Sequence, residues 1–183
     1  MKHLKLFFAL FAMLALGVGN AWGETATLTF TAKCNGKGVD TESNNWTITS
    51  DGTESTFDNT KGIHYGTSSA KVKYIRLSTS DIPGTITEVK VNASTASGVT
   101  ANLTVKVGSS DFTTGNSVTS QKLSTTATEY TFSGSASGEI IVEISKSSSA
   151  TKAIYCKSIV VTYAASGTEE PADCLIPKNM IFG

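Results

Sequence analysis

Histidine is scarce in this chain, which contains only His3 and His64. Because His3 lies at the extreme N terminus, a single histidine is left for the rest of the sequence. A zinc site made of several histidines, such as the HExxH motif of metalloproteases, is therefore excluded. A serine–histidine–aspartate triad would need His64 as its base, and no GxSxG nucleophile motif accompanies it. We expect the protein not to be an enzyme.

Cysteine and proline are also rare, with three of each. The cysteines match no zinc-binding spacing, and an odd number leaves at least one without a partner in its own chain. Cys156 lies inside an apolar segment, so we expect a small buried residue. Cys34 and Cys174 are a candidate disulfide pair in an oxidising compartment, although connectivity stays open at the level of sequence.

The sequence has no block of like charge and no apolar run long enough to cross a bilayer. The first 23 residues hold two of the 15 basic residues and none of the 15 acidic ones, so the rest has 13 basic against 15 acidic residues and a net charge of −2. Nucleic acids and anionic membranes attract clustered Lys and Arg. We therefore expect no nucleic-acid partner. The long apolar run Leu6–Leu16 is shorter than the roughly 20 residues of a membrane-spanning helix.

Residues 1–23 have the pattern of a secretory signal peptide. Lys2 and Lys5 precede the apolar run, and small residues follow it, with Ala21 and Gly23 at the −3 and −1 positions of a cleavage site. The mature protein is predicted to begin at Glu24 and to be secreted, at the cell surface or in the periplasm.

Residues 24–164 show the two-residue alternation of β-strands. In residues 86–93 and 101–107, for example, Val, Ile, Leu and Ala alternate with charged and polar residues. Nine such segments alternate with turn pairs such as Asn35-Gly36 and Pro83-Gly84. Ser and Thr, which supply 50 of the 160 residues after Gly23, occupy the polar positions. The pattern predicts an all-β fold, an antiparallel β-sandwich of jelly-roll type with about eight or nine strands.

Two strands in this pattern lose their phase, at Tyr74-Ile75 and near Lys157-Ser158, which predicts β-bulges or crossings between sheets. After the last strand, residues 165–172 have the composition of a linker, and residues 173–183 are too few to fold alone. Residues 165–183 are therefore either a short tail or the start of a further region.

Aromatic rings with amides beside them predict a site that binds sugars, because a ring stacks on the apolar face of a pyranose while amides bond its hydroxyls. The candidates are His64, Tyr65, Phe112, Asn44 and Asn45. Trp46 shares a strand face with Ile48, so we favour a core position for it.

A structural calcium ion is the candidate cofactor. Ca²⁺ takes six to eight oxygen ligands, and Asp40, Thr41 and Asp58 supply oxygens from predicted loops. No Asp-x-Asp-x-Asp spacing accompanies them, and Asp also forms turns by bonding its own backbone. Both interpretations stay open.

Segments 84–94 (GTITEVKVNAS), 130–134 (YTFSG), 138–142 (GEIIV) and 152–163 (KAIYCKSIVVTY) resemble strands of secreted β-sandwich modules common in Bacteroidetes, which usually have Ile in place of Cys156. The likeness covers roughly residues 25–164. It implies a galactose-binding-type jelly roll that accompanies nucleases, proteases, glycosidases or repeat domains, and that binds or spaces rather than catalyses.

The sequence therefore predicts an exported, non-catalytic accessory or adhesion module, with a glycan or another extracellular protein as its partner. The alternative is a spacer domain appended to a larger secreted enzyme whose catalytic part lies outside this sequence.

Overall fold

The protein is described by a computed structural model that covers residues 23–115 and 117–164. The strands are β1 (Glu24–Thr29), β2 (Lys37–Val39), β3 (Asn45–Ser50), β4 (Ile63–Tyr65), β5 (Val72–Thr79), β6 (Thr85–Thr95), β7 (Asn102–Val107), β8 (Ser110–Asp111), β9 (Ser120–Lys122), β10 (Thr128–Ala136), β11 (Ile140–Ala150) and β12 (Ile154–Ala164). Over these two ranges no helix is long and apolar enough to cross a lipid bilayer. The predicted apolar run of the signal peptide and the 165–183 tail lie outside the described residues.

The strands form two sheets, and every pairing is antiparallel. The first sheet, which we call the five-stranded sheet, has the order β1-β12-β6-β10, with β4 also pairing with β12. The second, the seven-stranded sheet, has the order β2-β3-β5-β11-β7-β8, with β9 also pairing with β7. From β3 onward the chain crosses repeatedly between the sheets. The predicted antiparallel β-sandwich is confirmed.

The structure has twelve strands rather than eight or nine. The strands that the sequence did not predict are β2, β8 and β9, which are only two or three residues long and mostly polar. A segment this short shows no period. It becomes a strand because a neighbouring strand of the sheet offers it hydrogen bonds.

The inward faces of the two sheets form one hydrophobic core. Side chains such as Val91, Leu103 and Ile144 are fully buried, and each contributes about 1.5–3 kcal/mol by leaving water. Trp46 is 2% exposed and belongs to this core, as predicted. Its indole Nε1 donates a hydrogen bond to Oδ2 of the buried Asp40, at 3.0 Å, so the ring's polar atom is satisfied.

Both predicted losses of phase correspond to irregular pairing. The register of β12 against β6 shifts between Cys156 and Ser158. The register of β11 against β5 shifts between Ser145 and Ala150. In the second case the extra residues lie in β11 rather than in β5, and they form a bulge at one end of the sandwich.

Candidate functional site

The outer face of the five-stranded sheet carries a row of three side chains in register. His64 of β4 pairs with Tyr155 of β12, which pairs with Ser94 of β6. The neighbours of Tyr155, Ile154 and Cys156, are fully buried in the core, so strand alternation places Tyr155 outward. The ring centroids of His64 and Tyr155 are 5.0 Å apart, with an angle of 33° between the planes.

A cleft with a volume of about 330 Å³ opens beside this row. Its lining includes His64, Thr67, Ser68, Ser97, Lys152 and Tyr155. The volume is at the lower end of the range for ligand pockets, about 300–1,000 Å³. Two aromatic rings surrounded by hydroxyls and an ammonium group provide both a stacking surface and hydrogen-bonding groups.

A tight turn over residues 58–62 positions the β4 side of the cleft. Oδ1 of Asp58 accepts hydrogen bonds from the backbone N–H groups of Thr60 and Lys61, at 2.8 and 2.9 Å. Gly62 has φ of 88°, and a Cβ there would overlap the carbonyl oxygen of Cys156, so glycine lets the turn lie against β12. Lys61 Nζ then lies 4.9 Å from the centroid of the Tyr155 ring.

The β11 bulge positions the side of the cleft that lies opposite β4. Lys146 is 5% exposed, and its ammonium donates to the carbonyl oxygens of Ala150, Thr151 and Lys152 at 2.9, 3.4 and 2.8 Å. Burial lowers the pKa of Lys146. Lys152, at φ 73°, reaches across the cleft, where its Nζ donates to the carbonyl oxygen of Ser97 at 2.8 Å.

Three polar side-chain atoms in or next to the row form no hydrogen bond with the described part of the chain. His64 Nδ1, Ser94 Oγ and the neighbouring Asn92 Oδ1 are buried and have no hydrogen-bond partner among the described residues. An unpaired buried polar atom costs about 1–3 kcal/mol, and most such atoms in native proteins are paired.

The phenol of Tyr155 is uncharged near neutral pH. Burial, and to a smaller extent the negative charge of Asp58, raises the pKa of Tyr155. Its phenol therefore stays a hydroxyl near neutral pH and can both donate and accept hydrogen bonds.

Two of the predicted sugar-binding rings, those of Tyr65 and Phe112, are buried in the core rather than at the cleft. Tyr65 follows the outward His64 along β4, so it points inward and is 5% exposed. Phe112 is fully buried because it packs beneath Gly134, where a Cβ would lie 2.6 Å from its ring. Of the three predicted aromatic candidates, only His64 lines the cleft.

The two predicted amides lie elsewhere and hold turns together. Asn44 Nδ2 donates to both oxygens of Asp40, at 3.1 Å each. Asn45 donates to Asp81 Oδ2 from its backbone N–H and from Nδ2, at 3.0 and 3.1 Å, and these bonds lower the pKa of Asp81. The amides and the cleft lie at opposite ends of β5. Asp81, which binds Asn45, follows the end of β5, whereas Gly66 of the cleft lies against Val72 at its start.

The candidate calcium ligands are occupied by other hydrogen bonds. Oδ1 of Asp40 accepts from the N–H groups of Glu42 and Asn44, at 3.0 Å each, and its Oδ2 accepts from Trp46. The hydroxyl of Thr41 accepts from the N–H of Thr27 at 3.0 Å. Across residues 23–115 and 117–164, no group of three or more His, Cys, Asp and Glu side chains is placed to hold a metal ion. The turn-forming interpretation fits Asp40 and Asp58.

The two cysteines that the structure describes, Cys34 and Cys156, offer no nucleophile to His64. Cys156 is fully buried, as predicted, and points to the core while His64 points outward. Burial raises the pKa of Cys156 to about 12. Burial also raises the pKa of the half-buried Cys34, whose backbone N–H donates to Glu54 Oε1 at 2.7 Å. Cys174 lies outside the described residues, so its pairing with Cys34 stays a prediction.

Three residues at the site were not among the sequence candidates: Tyr155 and Lys152, which line the cleft, and Lys61, which lies over the Tyr155 ring beside it. The signal for Tyr155 was available, because counting the alternation back from Ile159 across the phase slip places Ile154 and Cys156 inward and Tyr155 outward. Nothing in the sequence indicates that Lys61 lies over the Tyr155 ring or that Lys152 lines the same cleft as Tyr155, since a turn places the first lysine and a bulge the second.

No protein-family model and no curated protein matches this sequence. Among solved structures, the chain is similar to a protein described as "xylan-binding module CBM15", with 13% sequence identity over 79% of this chain and 99% of that chain and a TM-score of 0.38. A likeness this distant leaves the function to be argued from the residues themselves.

Proposed function

We propose that this protein is a non-catalytic carbohydrate-binding module, and that the cleft beside Tyr155 and His64 is its binding site. The observation that carries the proposal is the His64–Tyr155 ring pair, 5.0 Å apart, at a cleft lined by hydroxyl groups. A sugar has apolar C–H faces and a rim of hydroxyls, so it needs both kinds of contact.

The arrangement supports binding rather than catalysis. A histidine that acts as a base in a triad is oriented by a carboxylate on its second nitrogen. His64 Nδ1 has no partner among the described residues, and no carboxylate is among the residues that line the cleft. The groups present can hold a sugar, but they do not form an acid–base pair.

The proposal is tested by measuring glycan binding of the exported protein on an array, and then by calorimetry with the best ligand. Tyr155→Ala should weaken binding at least about tenfold, equal to about 1.4 kcal/mol, whereas Tyr155→Phe should bind nearly as well as the unchanged protein. Tyr74→Ala is the matched control, because Tyr74 is also partly buried and lies below a cation, with Arg76 Cζ 5.8 Å from its ring, but belongs to the seven-stranded sheet.

Thermal melting of each variant separates lost binding from lost folding. A protein that binds no glycan, or a Tyr155→Ala variant that binds as well as the unchanged protein, would contradict the proposal. The first of these results would favour the spacer function.

A further inference from the structure

We propose that the cleft selects glycans with an anionic group, a carboxylate or a sulfate, close to the sugar that packs against Tyr155. The inference rests on the proposed sugar-binding function and adds the class of sugar. It comes from the charges that surround the cleft.

Two lysine ammonium groups lie at or beside the cleft, and neither forms an ion pair with a described side chain. Lys152 lines the cleft, and Lys61 lies over the Tyr155 ring at 4.9 Å. The ion pairs found within residues 23–115 and 117–164 involve other side chains, so neither of these lysines forms an ion pair with a described carboxylate. Elsewhere on the same sheet, by contrast, Lys90 is paired with Glu88 at 3.4 Å.

Lys152 is held in position and still has donors to offer. Its Nζ makes one hydrogen bond, to the carbonyl oxygen of Ser97 at 2.8 Å. An ammonium group has three N–H donors, so two remain for a ligand in the cleft. Because the Lys146 ammonium holds the 150–152 segment by three carbonyl groups, the position of Lys152 is set by the fold.

Lys61 is placed to contact a ligand that stacks on the Tyr155 ring. Its contact with Tyr155 is a cation–π contact at a partly exposed site, which is weak. A hydrogen bond between an ammonium and an anionic oxygen is stronger than one between neutral groups. An anionic substituent on the stacked sugar would therefore draw Lys61 from the ring to itself.

The acidic side chain that influences the row does not cancel this preference. Asp58 raises the pKa of Tyr155, but it does not line the cleft. Its Oδ1 accepts hydrogen bonds from Thr60 and Lys61 within the turn. Hydrogen bonds from Thr60, and to a smaller extent the positive charge of Lys61, lower the pKa of Asp58, so this carboxylate stays ionised. Two lysines against this one carboxylate leave a net positive charge at and beside the cleft.

The experiment uses the exported protein and polymers that differ only in charge. The first pair is polygalacturonate and its methyl ester, and the second is dextran sulfate and dextran. We expect at least one anionic polymer to bind at least about tenfold more tightly than its neutral partner. Its affinity should fall as NaCl rises from about 50 mM to about 500 mM, because salt screens charges.

The double variant Lys61→Gln/Lys152→Gln should lose at least about tenfold in affinity for the anionic polymer. Lys122→Gln, on β9 of the other sheet, should lose none.

The outcomes separate the two proposals. If neutral polymers bind as well as the anionic ones, or if the double variant binds normally, the charge selectivity is wrong while sugar binding stands. If a polymer binds equally well to Tyr155→Ala, it binds elsewhere and both proposals fail. If no polymer of either pair binds, the inference is overturned, and the glycan array decides on the proposed function.

Discussion

Several acidic side chains in this protein that could be mistaken for functional groups have structural roles. Glu54, 9% exposed, accepts hydrogen bonds from the N–H groups of Cys34 and Asn35 with its two oxygens, at 2.7 Å each. Asp51 accepts from the N–H groups of Lys73 and Tyr74, at 2.8 and 3.1 Å. Acidic residues here join a loop to a distant strand, so a carboxylate in a loop of this chain is weak evidence for a metal or for catalysis.

Cys156 gives a pH-dependent prediction at this scale. Burial, more than the neighbouring Cys34, raises its pKa from 9.0 to about 12. Below pH 9.0 the thiol is protonated in both states, and its contribution to stability is fully present. As the pH rises toward about 12, the unfolded chain ionises first, so the free energy of unfolding falls by up to about 1.4 kcal/mol per pH unit from this group.

Cys156→Ala removes this titration, and guanidinium unfolding at about pH 8 and about pH 11 measures it. We expect the unchanged protein to lose several kcal/mol more than the variant over this interval. Equal losses would show that the thiol ionises freely in the folded state.

At the scale of elements, the β11 bulge depends on one lysine. Lys146 continues the inward positions of β11, so its stem is buried and its ammonium binds three carbonyl oxygens. Lys146→Met keeps an apolar stem of similar length and removes the donors. Leaving these carbonyls unpaired should cost about 1–3 kcal/mol, which lowers the melting midpoint by several degrees.

Calorimetry or circular dichroism against temperature measures the midpoint. Lys122→Met, at an exposed position on β9, is the control and should change it little. A Lys146→Met variant that melts with the unchanged protein would mean that water replaces the ammonium at no cost.

Loop residues form hydrogen bonds with β1 and β10, two edge strands of the five-stranded sheet. These bonds hinder pairing of the edges with other chains. Thr41 exchanges hydrogen bonds with Thr27 of β1, at 3.0 Å in each direction. Thr113 does the same with Ser133 of β10, at 3.0 and 2.8 Å. The role of Thr41, a candidate calcium ligand from sequence, is therefore to close an edge.

At the scale of the whole molecule, we predict that residues 165–183 add little to stability. The last strand, β12, ends at Ala164, and chain ends outside a packed element contribute little. A chain that ends at Ala165 should melt within a few degrees of the full mature chain. A Cys34–Cys174 disulfide would change this result, because closing a loop of roughly 140 residues contributes up to about 4–5 kcal/mol on the chain-entropy model.

Melting both chains with and without reductant distinguishes the two cases. A large, reductant-sensitive loss of stability on truncation would show that the tail is tied to the sandwich.

The sequence by itself determined the class of fold and much of the core. Alternation in segments such as 101–107 indicates which side chains point inward, because the two-residue period is a local property of a strand. For the same reason the slips at Tyr74-Ile75 and Lys157-Ser158 could be located. The core position of Trp46 followed from the face it shares with Ile48.

Only the tertiary structure decided the site. Lys61, Tyr155 and Lys152 come together through a turn, a cross-strand pairing and a bulge, none of which leaves a periodic signal. Phe112 and Tyr65 were misjudged because a ring in or beside a short segment can point either way until the neighbouring strand pairs with it. Strand pairing depends on burying the inner faces of both sheets at the same time. This is a property of the whole chain rather than of any one segment.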